Sequence, residues 1–150
     1  GDLKLAQAKY DKTFHNLDGL RGLDPEDFDA VHALKRAVLL NLAAALQRQG
    51  EHAQAEARLA KVLIDDPDNV KALWRRSVSK LATHEYEAAR EDLRRVAELD
   101  QSLSGDVDAQ LRRVKEKEEA NLGKEKREMG GILDRDRFSS SRGGANSARE

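Results

Sequence analysis

GEHAQAEARLAKVLIDDPDN at residues 50–69 and HEYEAAREDLRRVAELD at residues 84–100 superimpose at a constant offset of 34 residues. Glu51 falls on Glu85, Ala55 on Ala89, Leu59 on Leu93, Val62 on Val96 and Asp66 on Asp100, and further back Leu39 falls on Leu73. The register does not slip. A period of about 34 residues carried on helical patterns marks a helix–turn–helix solenoid, in which each unit buries its apolar face only against its neighbours. Chains built this way usually bind other proteins rather than transform small molecules.

Outward from that pair, the helices can be read one by one. Leu3, Ala6, Tyr10 and Leu17 recur at near-helical spacing, giving a first helix that ends around Asn16 to Gly19. Asp24 is placed to cap the next helix, Pro25 suits its first position, and Glu26 and Asp27 set negative charge at the positive end of its dipole. That helix runs to about Gln49. Gly50 closes it, Ala53 to Ile64 form its partner, and Pro67 forbids continuation. Asp68 or Asn69 caps a helix from Val70 to about Leu81, which pairs with Tyr86 to Leu99. Ser102 or Ser104 then caps a last helix with the apolar stripe Val107, Leu111 and Val114. Seven acidic and seven basic side chains balance between Asp106 and Glu128, so its rear half reads as a solvated helix projecting from the domain. Gly130 and Gly131 are expected to end it, and residues 130–150 read as a disordered tail.

Composition agrees with an all-α chain and excludes several functions. Charged residues make up 37% and aromatics 4% of 150 residues, a balance suited to amphipathic helices with wide solvated faces. The net charge of −1 gives no global attraction to nucleic acid or to an anionic membrane. Cysteine is absent, which removes disulfides, thiolate metal sites and cysteine nucleophiles. The longest apolar run, Ala37 to Leu46, is broken by Asn41 and far short of the ~20 residues that cross a bilayer. A cytoplasmic location is expected. The acidic side chains have no nucleophile, glycine loop or convergent base near them, so no catalytic site can be built. His15, His32, His52 and His84 are scattered, and no metal or cofactor is expected; His52 shares a repeat position with Tyr86, which suits packing at the turn.

The quoted stretches resemble the second helix of the tetratricopeptide repeat: a small residue (Ala55, Ala89), a large one four positions on (Leu59, Leu93), then Asp-Pro or its relic. The methyl of Ala55 or Ala89 lets two helices of a hairpin approach closely. The resemblance implies a right-handed superhelix of antiparallel hairpins over residues 1–101: a partial first repeat (1–20), an insertion and helix start (21–35), a second repeat (36–69) and a third (70–101). An extended helix follows at 102–129. Ala6 and Tyr10 fill the roles of Ala55 and Leu59 in the partial copy, 49 residues earlier, and Gly1 matches Gly50. That copy starts at its turn, so its leading helix is expected outside this sequence. Leu3, Ala6 and Tyr10 would then lack an intramolecular partner, inviting pairing between copies of an otherwise monomeric chain.

Within that superfamily, the long insertion, then VLLNLAAAL (residues 38–46), then DNVKALWRRS (residues 68–77), is similar to the three-repeat domain of chaperone-associated immunophilins. Those proteins carry a peptidyl-prolyl isomerase domain upstream. Their repeats grip the acidic C-terminal EEVD peptide of the ninety- or seventy-kilodalton heat-shock chaperones through a two-carboxylate clamp. The resemblance carries three clamp positions onto Asn41, Lys71 and Arg75. It implies that Asn41 donates to the terminal carboxylate, Lys71 meets the Asp side chain and Arg75 holds an upstream carbonyl or acidic group. A Lys and an Asn on the absent leading helix complete the clamp in the family.

The residue types suit that task. Lys71 and Arg75 are four apart and share a helical face, and Asn41 occupies the place in its repeat that Arg75 occupies in the next. A Lys and an Arg at that spacing are also a common solvated face, whereas an amide inside VLLNLAAAL needs a partner or a wet groove. Trp74 reads as a packing residue between hairpins, and Ser139, Ser140 and Ser141 beside Arg142 could accept a phosphate. Two other readings remain: a scaffold that holds a different protein through its groove or last helix, and part of an active isomerase whose catalytic residues lie upstream.

Overall fold

The computed structural model describes residues 2–142, with side chains as far as residue 135. Six α-helices follow in order: α1 (Asp2–Asp18), α2 (Pro25–Arg48), α3 (His52–Asp65), α4 (Val70–Ala82), α5 (Tyr86–Leu99) and α6 (Ser104–Arg142), with a 3-10 turn at Gln101–Leu103. The described residues contain no strand.

The 34-residue period is written into the backbone as well as the side chains. α2 and α4 both end in the same cap. Gly50 and His84 take positive φ values of 79° and 66°. Behind them, the Glu51 N–H donates to the Leu46 carbonyl (2.9 Å) and the Glu85 N–H to the Lys80 carbonyl (2.8 Å). This is the six-to-one bond of a Schellman cap, which reverses the chain and starts the antiparallel partner at once. His84 holds the left-handed conformation without being glycine, and its Nδ1 lies 2.7 Å from the Tyr86 hydroxyl. Asn69 caps α4, its Oδ1 accepting from the Ala72 N–H at 3.0 Å. At α2, Asp24 and Pro25 stand where expected, yet Asp24 makes no side-chain capping bond.

Consecutive helices pack in pairs, α1 on α2, α2 on α3, α3 on α4 and α4 on α5. Leu42, Leu46, Ala55, Leu59 and Val62 form the fully buried centre of the first core. Leu73, Leu81, Leu93 and Val96 form the second together with Val107 and Val114 of α6, so the front of the last helix closes the stack. Ala55 and Ala89 are both fully buried, as a close helix crossing requires.

Two expectations need correction. Tyr10 is not left without a partner: with Phe14 it packs against the first core, while Asp11 pairs with Arg58 at 3.3 Å. Packing on α2 is possible because most of the insertion, from Pro25 onward, is itself the first part of a single long α2, which gives α1 a long neighbour. Nor does the last helix end at Gly130. It passes through Gly130 and Gly131 to Arg142, because a glycine inside a helix costs only about 1 kcal/mol relative to alanine. The part of the tail at residues 143–150 and the side chains of Ser139, Ser140 and Ser141 lie outside the described residues.

The chain divides into two units, Gly1–Val114 and Lys115–Glu150. The second carries charge pairs along its own helix, Lys115 with Glu119 at 4.0 Å and Lys124 with Glu128 at 3.9 Å. Leu122, Met129, Ile132 and Leu133 are exposed on it.

Candidate peptide-binding site

α2 and α4 are the leading helices of successive hairpins, and they lie beside each other. Gln47 pins them: its Nε2 donates to the Arg75 carbonyl at 2.6 Å and to the Ser79 hydroxyl at 2.8 Å. From the other direction, the Arg75 guanidinium donates through Nη1 to the Leu40 carbonyl on α2. Arg75 is therefore fixed against the turn of α2 that presents Asn41. Asn41 itself is exposed despite its apolar neighbours, which points the amide to solvent while Leu40 and Leu42 face the core.

Lys71 and Arg75 line one open cleft of about 460 Å³, together with Val70, Trp74, Leu103 and Asp106. The volume is of the size that holds a few side chains of a ligand. Asn41 is not part of its lining. The structure thus brings Lys71 and Arg75 into one cavity and leaves Asn41 out of its lining, next in sequence to the Leu40 whose carbonyl Arg75 bonds. Trp74 packs against the second core and lines the cleft as well.

Electrostatics separate Arg75 from its neighbour Arg76. Burial pushes the Arg75 guanidinium below the ordinary arginine value, and nearby Arg48 adds to the effect. No carboxylate offsets this: among the described residues Arg75 makes no ion pair. Arg76 is shifted upward, first by its hydrogen bonds to Asp92, against the opposing effect of burial. Its Nε and Nη2 meet the two Asp92 oxygens at 2.8 and 2.6 Å, and Lys80 stands 3.9 Å from the same carboxylate, which is only 5% exposed. Arg76 is a partnered structural cation. Arg75 is a partly desolvated cation without a counterion, an arrangement that favours capture of an anion. Lys71 is exposed and makes no hydrogen bond or ion pair among the described residues.

Sequence reading missed three of these features. Gln47 stands where the next repeat has Leu81, a polar residue in an apolar slot. Arg76 and Lys80 stand where the previous repeat has the fully buried Leu42 and Leu46, and Asp92 stands opposite them in place of Arg58. The same offset that found the repeat would have found these exchanges. Asp106 carried no such signal. Of the histidines, His32 Nδ1 lies 3.5 Å from Asp65, and the buried His52 Nδ1 has no hydrogen-bond partner among the described residues. Among the described residues no cluster of three or more His, Cys, Asp or Glu could hold a metal ion.

Stacked antiparallel hairpins of 34 residues, closed by a long final helix, define a tetratricopeptide-repeat domain. The chain has the fold of such a domain, and it resembles the C-terminal repeat domain of immunophilin-type co-chaperones. It is 31% identical over 107 residues to the peptidyl-prolyl cis-trans isomerase PASTICCINO1 of Arabidopsis thaliana, covering 71% of this chain and 17% of that protein. It is 29% identical over 135 residues to the peptidyl-prolyl cis-trans isomerase FKBP4 of Mus musculus, covering 90% of this chain and 29% of that one. The chain thus spans less than a third of these relatives. No family profile matches it.

Among solved structures, the C-terminal TPR-containing domain of a Plasmodium falciparum FK506-binding protein matches with a TM-score of 0.61 and 22% identity, over 86% of this chain and 81% of that one. The first TPR of Spaghetti (RPAP3), bound to the HSP90 peptide SRMEEVD, matches with a TM-score of 0.52 and 20% identity, over 76% and 90%. These likenesses establish the fold. Among the described residues no helix is long and apolar enough to cross a membrane.

Proposed function

We propose that this chain is the peptide-binding module of a cytoplasmic co-chaperone, which captures the acidic C-terminus of a heat-shock chaperone with Asn41, Lys71 and Arg75. The reading includes an isomerase domain upstream in the whole protein, after the longer relatives, and assigns no chemistry to the repeats themselves. One observation carries it: two cations without ion pairs among the described residues, one of them partly desolvated, line a single cleft, and one of these bonds the carbonyl next in sequence to the exposed Asn41. A free carboxylate and the acidic side chain next to it supply the missing counterions, and a groove partly shielded from water strengthens each contact. Val70, Trp74 and Leu103 offer apolar surface to a side chain further along the peptide. The SRMEEVD peptide held by a domain of the same fold supports the choice of ligand.

The test is a titration of the chain with SRMEEVD in its free-acid and amidated forms. Trp74 is the only tryptophan of the sequence, so its fluorescence reports on the cleft without a label. A hydrogen-bonded charge is worth ~1.5–3 kcal/mol, so amidation should weaken binding by about tenfold or more. Equal affinity of the two forms would remove the clamp. A second reading, a scaffold that holds another protein through its last helix, is favoured by Leu122, Met129, Ile132 and Leu133 lying exposed along α6. In that case Lys71→Glu leaves the partner bound and truncation after Val114, which keeps the second core, releases it.

A further inference from the structure

The cleft that holds Lys71 and Arg75 contains a third charged group, of opposite sign. Asp106, in the first turn of α6, lines the same 460 Å³ cavity. It is exposed and, among the described residues, forms no hydrogen bond or ion pair. It stands in the first turn of a long helix, where the helix dipole favours a negative group. A peptide acidic along its whole length would therefore meet two cations and then a like charge in one small cavity.

We propose that Asp106 determines specificity: among peptides with an acidic free C-terminus, it selects those whose acidic run is preceded by a basic side chain. The proposal rests on the clamp reading above. Lys71 and Arg75 are about one helical turn apart, ~6 Å along the axis, and an extended peptide advances ~3.3 Å per residue. A peptide strand entering the cleft spreads several residues across it, so those upstream of the acidic terminus come within reach of Asp106. There a carboxylate is repelled and a guanidinium or ammonium attracted. Discrimination comes as much from the repulsion as from the new attraction. Val70, Trp74 and Leu103 line the cleft too and take the aliphatic part of a long basic side chain, as such stems lie readily along apolar surface.

The experiment is a set of titrations of the intact chain, at low and high salt, with SRMEEVD, SAMEEVD and SEMEEVD, all with free carboxylates. Thermal unfolding of each variant checks its fold. At low salt SRMEEVD should bind about three- to tenfold more tightly than SEMEEVD, with SAMEEVD between them and the spread shrinking as salt rises. Asp106→Asn should bring the three within about twofold, and Asp106→Lys should reverse their order. A preference that survives in Asp106→Asn, or no preference in the unaltered chain despite carboxylate-dependent binding, overturns the role of Asp106 and leaves the clamp standing. Binding that is equal for free-acid and amidated SRMEEVD overturns the clamp and this proposal together.

Discussion

Replacing Arg76 by methionine should unfold the chain more easily without touching the ligand, and the same change at Arg75 should do the reverse. Arg76→Met removes two hydrogen bonds, of 2.8 and 2.6 Å, from a carboxylate that is 5% exposed. Breaking a buried pair costs about 3–5 kcal/mol because the remaining charge is stranded. Here the Arg76 side chain is 24% exposed and Lys80 stands 3.9 Å from Asp92, ready to move closer. Both facts lower the figure to about 2–3 kcal/mol, or a melting point lower by about 4–12 °C for a chain of this size. Arg75→Met loses one bond to the Leu40 carbonyl and also removes a partly desolvated cation near Arg48. These effects oppose each other, so stability should stay within ~1 kcal/mol while affinity for SRMEEVD falls at least tenfold. Circular dichroism at 222 nm follows unfolding and Trp74 fluorescence follows binding. If Arg75→Met destabilises as much as Arg76→Met, or leaves affinity unchanged, the division between structural and ligand-holding cations is wrong.

Other perturbations follow from the same contacts. Leu59→Ala empties a fully buried position between α2 and α3 and should cost about 3–5 kcal/mol by urea unfolding; a cost under ~1 kcal/mol would mean the first core is not packed as described. Gly50→Ala forces a side chain to φ 79° and should cost about 1–2 kcal/mol, although there is open space around it, whereas Gly105→Ala in α6 should be neutral or stabilising in the same assay. Hydrogen bonds from Lys35 hold the Asp18 carboxyl below its ordinary value, and those from Arg94 and then Arg90 do the same for Glu87. Such groups stabilise the fold above their unfolded pKa and stop doing so as pH falls through the folded value. The urea midpoint should therefore drop between about pH 5 and pH 3, and Asp18→Asn with Glu87→Gln should flatten part of that drop. An identical pH profile in the double variant would show that these pairs contribute nothing.

The repeat was legible because a solenoid states its core over and over, so a leucine or alanine in one hairpin vouches for its counterpart in the next. Helix limits were legible for the same reason: Tyr86 to Leu99 appears as read, and the ends of α2 and α4 were set by a shared cap. What escaped was polar. Arg76, Lys80 and Asp92 interrupt a core that the pattern makes apolar, and a helical face alone does not say which charges are buried. The sequence sets Arg75 apart by its repeat position, but that Arg76 is a buried structural partner shows only in the Asp92 carboxylate lying beside it. The end of α6 was misplaced because two glycines are weak stops when no tertiary contact or proline enforces them. Asp106 reads as a plain helix-start acid until the fold puts it in one cavity with Lys71.

Asn41, Lys71 and Arg75 are proposed to act as one anion-capturing surface. Nuclear magnetic resonance of side-chain N–H groups during addition of SRMEEVD examines it group by group. Progressive shifts of the Asn41 amide, the Arg75 Nε and the Trp74 indole are expected, with the Arg76 Nε unmoved in its bond to Asp92. Shifts confined to other surfaces, or Asn41 and Arg75 silent at saturating peptide, would contradict it.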